Sequence, residues 1–295
     1  MLDYKKLIKN REFRLQLIKL LSFVPSAPYL KMVYRIKTGE KLHLKNPVGF
    51  NEKLNWLKLN HIHPEYTQLV DKLAVRDYIR EKIGEDYLFP LLGSWDSFDD
   101  IDFDALPDKF VLKCNHDSGS VKLITDKSKM DKAALKAFFE RRLAMNAYCL
   151  GREYPYKDVP PKMMAEAFME APDGGGINDY KFFCFHGEPK LLFVATDRAT
   201  DVRFDFFDMD FQHLDIVNIH EQSGKEIQKP SCFEEMKSLA ETLSQGMEFV
   251  RIDLYEIGGR VYFGEFTFFH GGGFYLFYPA HWEKDLGDLL PLETR

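Results

Sequence analysis

The chain is poor in the features from which a chemistry is most often read. Its 295 residues hold four cysteines, Cys114, Cys149, Cys184 and Cys232, and no Cys-x-x-Cys pair. Neither a zinc knuckle nor a disulfide framework is therefore expected, and reduced thiols are the default. Cys184 lies in a Phe-rich run and is expected in the core. No apolar run reaches the roughly 20 residues that span a bilayer. The N-terminus lacks an apolar stretch followed by a small-residue cleavage site, so no signal peptide is expected. There is no Gly-x-x-x-x-Gly-Lys-[Ser/Thr] loop, no local signature of Ser-His-Asp or Cys-His catalysis, no repeat and no low-complexity tract. His116 and His270 sit in candidate active loops, but neither has a second histidine at metal-ligand spacing.

What is present is an aromatic-rich, ordinarily charged chain, long enough for one large or two to three small domains. Charge is uneven. Residues 1–47 carry eleven Lys or Arg against Asp3, Glu12 and Glu40, a balance of +8; the whole chain is −6, so residues 48–295 carry −14. A basic amphipathic helix is expected over 4–23. It suits peripheral contact with an anionic membrane surface or a polyanionic glycan; a solvated helix packed on the domain is the slightly preferred alternative. No nucleic-acid partner is expected.

Residues 1–60 read as helical, with breaks near Pro25, Pro28 and Pro47. A capped helix over 51–59 offers Leu54, Trp56 and Leu57 for packing, and a second helix over 67–83 ends at Gly84. Residues 88–109 read as an acidic loop. Strands follow over 110–114 and 121–125, then a helix over 131–146 with Asp131 as its N-cap, then a strand over 163–169. Hairpins are expected over 179–196 and 250–267, a further strand over 202–207, and helices over 233–245 and 281–290. The Pro-rich link 155–161 and the Gly-rich loop 173–178 read as hinges. Strands flanked by helices, with antiparallel hairpins prominent, indicate an α+β protein of two or three lobes.

The last hairpin carries the strongest chemical signal. Arg251, Asp253, Glu265 and Thr267 occupy alternate positions on strands joined by Gly258-Gly259. If the two faces fold together, two carboxylates, a guanidinium and a hydroxyl converge into a donor set for Mg²⁺ with nucleotide phosphates. Lys113 ends an apolar strand ahead of a polar loop, 115–120, whose N–H groups and hydroxyls suit phosphate; alone, it reads as a lysine with a buried stem. The edge around Glu166, Phe168 and Met169 could meet an adenine, although most such strands are plain sheet. Asp179 and Lys181 share a strand face; the carboxylate could take ribose hydroxyls, or the two form a surface ion pair. Arg198 and Arg203 flank a loop and suit a planar anion.

Taken in order, these segments resemble the ATP-grasp superfamily, and within it the TupA-like group of teichuronopeptide and surface-polysaccharide biosynthesis. The resemblance covers about 47–290. It is carried by Phe50-Asn51-Glu52-Lys53, Asp71-Lys72-Leu73-Ala74-Val75-Arg76, Phe110-Val111-Leu112-Lys113-Cys114-Asn115-His116, Asp179-Tyr180-Lys181-Phe182-Phe183-Cys184-Phe185, Arg251-Ile252-Asp253-Leu254-Tyr255 and Phe263-Gly264-Glu265-Phe266-Thr267-Phe268. It implies an ATP-grasp fold, two α+β lobes clasping ATP, after a helical N-terminal region: 1–104 helical, 105–172 a lid subdomain, 173–295 the C-terminal subdomain. It implies Lys72 and Lys113 on the ATP phosphates, residues 166–169 at the adenine and Asp179 at the ribose. Lys181, His116, Ser118 and Ser120 are expected as further nucleotide contacts. Asp253 and Glu265 bridge Mg²⁺, and Arg251 stabilises charge on the intermediate. Thr267 stands where the superfamily usually has Asn, so it is the least typical metal ligand. Loops 116–120 and 271–273 are expected to close over the triphosphate.

The implied activity is an ATP-dependent, ADP-forming carboxylate-amine ligase working through an acyl phosphate. It would join an amine such as an amino acid to an anionic sugar or glycan carboxylate of a cell-surface polysaccharide or its precursor. The expected location is the cytoplasm or the inner face of the cell membrane. The alternatives are a kinase on the same scaffold, a glycosyltransferase, and a non-catalytic glycan-binding protein.

Overall fold

The computed structural model describes residues 21–171, 176–197 and 200–292. The basic helix expected over 4–23, and with it the membrane or glycan contact, lies outside the described residues except for a short turn, Leu21–Phe23. Residues 173–175 and Arg198 also lie outside them. No helix among the described residues is long and apolar enough to cross a membrane.

Helix α1 (Ser26–Thr38) runs through Pro28 without a break. Pro28 falls in the first turn, where a missing N–H costs nothing. In α2 (Phe50–Asn60), Glu52 folds back so that its Oε2 accepts from the Val48 and Gly49 N–H groups, at 2.9 and 3.3 Å. The single helix expected over 67–83 is two, α3 (Tyr66–Val70) and α4 (Val75–Lys82). The break is at Asp71, whose backbone is extended and whose Oδ1 accepts from the N–H groups of Leu73 and Ala74. An aspartate that caps a new helix from within a helical pattern ends the old one.

Strands β1 (Leu91–Trp95), β2 (Phe110–Cys114), β3 (Lys122–Ile124) and β4 (Met163–Ala167) form an antiparallel sheet in the order β1-β4-β2-β3. β1 arises inside the expected acidic loop 88–109, so this sheet begins within the N-terminal region expected over 1–104. It is completed by pairing Leu91 through Trp95 against Glu166 through Met163. Helix α5 (Lys132–Leu143), capped by Asp131 at 2.9 Å to the Ala134 N–H, closes the apolar side of this sheet with Phe139.

The second sheet is antiparallel throughout. It comprises β5 (Asp179–Phe185), β6 (Glu188–Thr196), β7 (Arg203–Asp208), β8 (His213–Leu214), β9 (Phe249–Ile257) and β10 (Arg260–Thr267), in the order β10-β9-β5-β6-β7-β8. One face, with Phe182 and Cys184, packs on helix α6 (Phe233–Ser244). The opposite face is apolar at one end, where Phe183, Phe185 and Phe249 surround Phe50 and Phe277. Along the same face it becomes charged, because Lys181 and Asp253 are the next residues in register. Helix α7 (His281–Asp288) locks α2 in place: Glu283 accepts from the Asn51 side chain at 2.6 Å.

Register in the β9–β10 hairpin depends on one irregularity. Phe263 pairs with Leu254, but the next pair is Glu265 with Asp253, so Gly264 is an extra residue. Without this bulge Glu265 would lie opposite Ile252, on the wrong face for Asp253. A Cβ at Gly264 would sit 2.9 Å from the Asp253 carbonyl oxygen and 2.8 Å from the Tyr255 ring. The ring can turn away; the carbonyl cannot without moving β9. Gly264→Ala should therefore destabilise the chain by about 1–3 kcal/mol in urea unfolding. An unchanged unfolding midpoint would show that the bulge accepts a side chain and does not set the register.

Candidate functional site

The two sheets face each other across a cleft of about 1510 Å³. The first sheet contributes Val111 and Lys113 from β2 and Glu166 from β4; the second contributes Asp179, Lys181 and Glu265. Lys72 enters from the α3–α4 break. Its N–H donates to the Asn115 carbonyl at 3.1 Å and its Nζ to the Asp117 carbonyl at 2.7 Å. That places the ammonium 3.8 Å from Glu265 Oε2, across the cleft. Asn115 also donates to Asp71 Oδ1 at 2.9 Å, so the cap that breaks the helix also ties Lys72 to the β2–β3 loop.

The hairpin residues do converge. The guanidinium of Arg251 is forked on Asp253, with Nε to Oδ1 at 2.6 Å and Nη2 to Oδ2 at 2.7 Å. Nη2 also reaches the Thr267 hydroxyl at 3.0 Å and Glu265 Oε1 at 3.4 Å. Asp253 is fully buried, whereas the Glu265 side chain is 32% exposed and faces the cleft. The Lys181 ammonium bridges Asp253 Oδ2 and Asp179 Oδ2. A positive group thus occupies the gap between the Asp179 and Asp253 carboxylates. Burial works against the Arg251 charge, but Asp253, with Glu265 and Asp179 behind it, outweighs burial and raises its pKa.

At the other wall, Glu166 is buried between Lys113, at 2.5 Å, and Arg76, at 3.4 Å. Arg76 was not among the expected site residues; its signal was an arginine five residues after Asp71, on the helix that the cap begins. The Ala167 N–H is donated to the Pro90 carbonyl at 2.9 Å, so the edge at this point is already paired. Phe168 and Met169 follow the strand and line the cleft with Leu88 and Phe89.

Three expectations are corrected or refined here. Ser118 lines the cleft, but the side chains of His116 and Ser120 turn inward. His116 Nε2 lies 3.2 and 3.1 Å from the carbonyls of Arg142 and Met145, and Ser120 donates to Asp117 while accepting from the Cys114 N–H. These two side chains anchor the loop. The 271–273 loop is not over the cleft at all. The Gly272 and Gly273 carbonyls accept from Lys58 at 2.6 Å and Asn55 at 2.7 Å, holding the loop against α2. Arg203 is paired with Asp201.

His270, by contrast, belongs to the site from behind. Its Nδ1 lies 2.9 Å from Arg251 Nη1, and its Nε2 lies 2.8 Å from Asn218 Oδ1. A guanidinium can only donate, so Nδ1 accepts and Nε2–H donates to Asn218. Asn218 in turn donates to the carbonyls of Tyr275 and Leu276, at 2.9 and 3.2 Å.

The family model for TupA-like ATP-grasp proteins matches residues 52–291. No curated protein sequence matches the chain. Among solved structures, the chain is similar to D-alanine–D-alanine ligase from Bacillus anthracis complexed with ATP (15% identity, TM-score 0.39, covering 68% of this chain and 53% of that one). It is also similar to D-alanine–D-alanine ligase from Helicobacter pylori (15%, 0.36, 76% and 61%) and to D-alanyl-alanine synthetase A from Vibrio cholerae (13%, 0.44, 75% and 65%). The chain thus spans 53–65% of the length of these ligases. Resemblance this distant assigns no substrate.

The His270 position makes stability depend on pH. Burial first, then Arg251 and Lys181, hold its pKa well below the usual 6.5, and the rings of Phe183, Phe193 and Phe277 complete its surroundings. As pH falls below 6.5 the unfolded chain takes up a proton here that the native chain refuses. Stability should fall by up to about 1.4 kcal/mol per pH unit from this residue. His270→Gln should be less stable at pH 7.5, yet lose stability less steeply on acidification. A curve parallel to that of the unsubstituted chain would show that native His270 titrates normally.

Proposed function

The chain belongs to the TupA-like ATP-grasp family, and from that membership we propose that it is an ATP-dependent, ADP-forming carboxylate-amine ligase acting through an acyl phosphate. The observation that carries this reading is the cleft itself, which Lys72, Lys113 and Lys181 line together with Glu265, Lys72 lying 3.8 Å from that carboxylate, beside the Arg251–Asp253 pair. Such a site can hold a polyphosphate and a second anion in one place, which is the physical difficulty of phosphorylating a carboxylate.

The adenine lies at the apolar end, against Leu88, Phe89, Phe168 and Met169. Asp179 takes the ribose hydroxyls. Lys72 and Lys113 exchange their present partners, the Asp117 carbonyl and Glu166, for phosphate oxygens. Arg76 then keeps Glu166 neutralised. Asp253, Glu265 and the Thr267 hydroxyl fit a hard cation by donor type, and Lys181 releases Asp253, which it now bridges to Asp179. Mg²⁺, when bound there, neutralises phosphate oxygens during transfer. Arg251, held by Asp253 and His270, presents fixed positive charge to the oxygens of the acyl phosphate. Ser118 and Gly119 are exposed in the β2–β3 loop and cover the phosphates from above, excluding the water that would hydrolyse that intermediate. The acceptor is a carboxylate of a cell-surface polysaccharide or its precursor and the nucleophile is an amino acid; this choice is supported by family resemblance alone.

Asp253→Asn and Glu265→Gln should each abolish ATP turnover while leaving the circular dichroism spectrum intact. Lys113→Ala should weaken ATP binding by at least about tenfold, the scale of a charged hydrogen bond. Release of ADP, measured with candidate acids and amines, should require the acid. Full turnover in both carboxylate variants, or AMP as product, would refute the reading; phosphorylated acceptor that persists without an amine would mark a kinase instead.

A further inference from the structure

At the C-terminal end of α2, two histidines and a glutamate meet at one point. His61 follows the last turn of α2 in an extended conformation, φ −118° and ψ 93°, so His61 and His63 share a face of the chain. Glu248, just before β9, reaches between them. Its Oε1 lies 2.8 Å from His61 Nδ1 and 3.4 Å from His63 Nε2. The three side chains are 16%, 30% and 24% exposed, so the point is open to solvent and ions.

Three donors, each about 2.1 Å from one zinc ion, lie about 3.4 Å apart in a tetrahedron. The His63–Glu248 separation of 3.4 Å matches that value, and the His61–Glu248 separation of 2.8 Å is somewhat shorter. A single hydrogen-bonded His–Glu pair would explain the first contact but not the second. A further observation points to a ligand. His63 Nδ1 faces Glu65 Oε1 at 3.2 Å, the outer carboxylate that orients a metal-binding imidazole and leaves Nε2 as the coordinating nitrogen. The Tyr66 ring stacks on His63 with centroids 4.6 Å apart and holds it in place.

We propose that His61, His63 and Glu248 form a binding site for a divalent transition ion of the Zn²⁺ class, distinct from the nucleotide cleft. None of the three lines that cleft. The ion ties the C-terminal end of α2 to the start of β9. From there Tyr66 stacks on Phe268, 3.8 Å between centroids, one residue beyond Thr267. The site therefore braces the hairpin that carries Asp253 and Glu265.

The test uses the full chain, stripped with chelator, in an Asp253→Asn, Glu265→Gln background that removes competition from the cleft. One Zn²⁺ per chain should bind by calorimetry and raise the melting temperature, whereas Mg²⁺ should do neither. Co²⁺ should give the intense visible bands of a four-coordinate ion. Adding His61→Ala or His63→Gln should weaken Zn²⁺ binding by well over the tenfold typical of losing an outer partner. The melting temperature of each metal-free variant reports that it is folded. Unchanged Zn²⁺ binding in both histidine variants, no Zn²⁺ binding in the background chain, or a weak six-coordinate Co²⁺ spectrum would overturn the proposal. Because the background lacks both carboxylates proposed to hold Mg²⁺, none of these outcomes depends on the ligase reading.

Discussion

The buried fork between Arg251 and Asp253 is the interaction on which the rest of the site depends. Both Asp253 oxygens are engaged, and the residue has no exposure to water. Removing one partner of such a pair strands the other charge, at a cost of about 3–5 kcal/mol. The pair is therefore not optional once the sheet has formed. It also sets the positions of its neighbours. Lys181 is drawn to Asp253, Thr267 and Glu265 accept from the free edge of the guanidinium, and His270 accepts on the opposite side. A charged cluster is thus built into the end of a face that is otherwise phenylalanine.

The second constraint is how the two sheets are linked. Residues 71–76 do this work in six positions. Asp71 ends one helix, begins the next and holds Asn115; Lys72 crosses to Glu265; Arg76 holds Glu166. Lys72 joins the β2–β3 loop to Glu265 of the second sheet, while Asp71 and Arg76 hold that loop and the first sheet in place around it. Away from the cleft, α2 is tied to α7 through Asn51 and Glu283 and to the glycine loop through Lys58 and Asn55. The cleft wall formed by Ser118 and Gly119 is exposed.

Much of this was legible in the sequence because period-two and period-3.6 patterns survive packing. The hairpins, α5 with its Asp131 cap and the α+β class follow directly from them. The convergence of Arg251, Asp253, Glu265 and Thr267 was expected from alternate positions, but alternation alone is insufficient: the Gly258-Gly259 turn sets a register in which Glu265 misses Asp253. The Gly264 bulge repairs it, and a glycine inside a strand is the signal for that. Features decided by distant partners were not legible. β1 exists because β4 offers an edge. The 67–83 pattern breaks because Asp71 finds local N–H groups and Asn115. Loop 271–273 looks mobile by composition, yet its carbonyls satisfy a buried lysine. His116 looked like a ligand contact and is held by two backbone carbonyls.

The central claim is that Asp253 and Glu265 receive a divalent ion together with nucleotide, with Lys181 giving way. Electron paramagnetic resonance of Mn²⁺ tests this most directly, with His61→Ala present to remove the other candidate site. Addition of ADP should immobilise one Mn²⁺ per chain, and the Asp253→Asn and Glu265→Gln substitutions should return it to the free-ion spectrum. Immobilised Mn²⁺ of the same stoichiometry in both carboxylate variants would contradict the account.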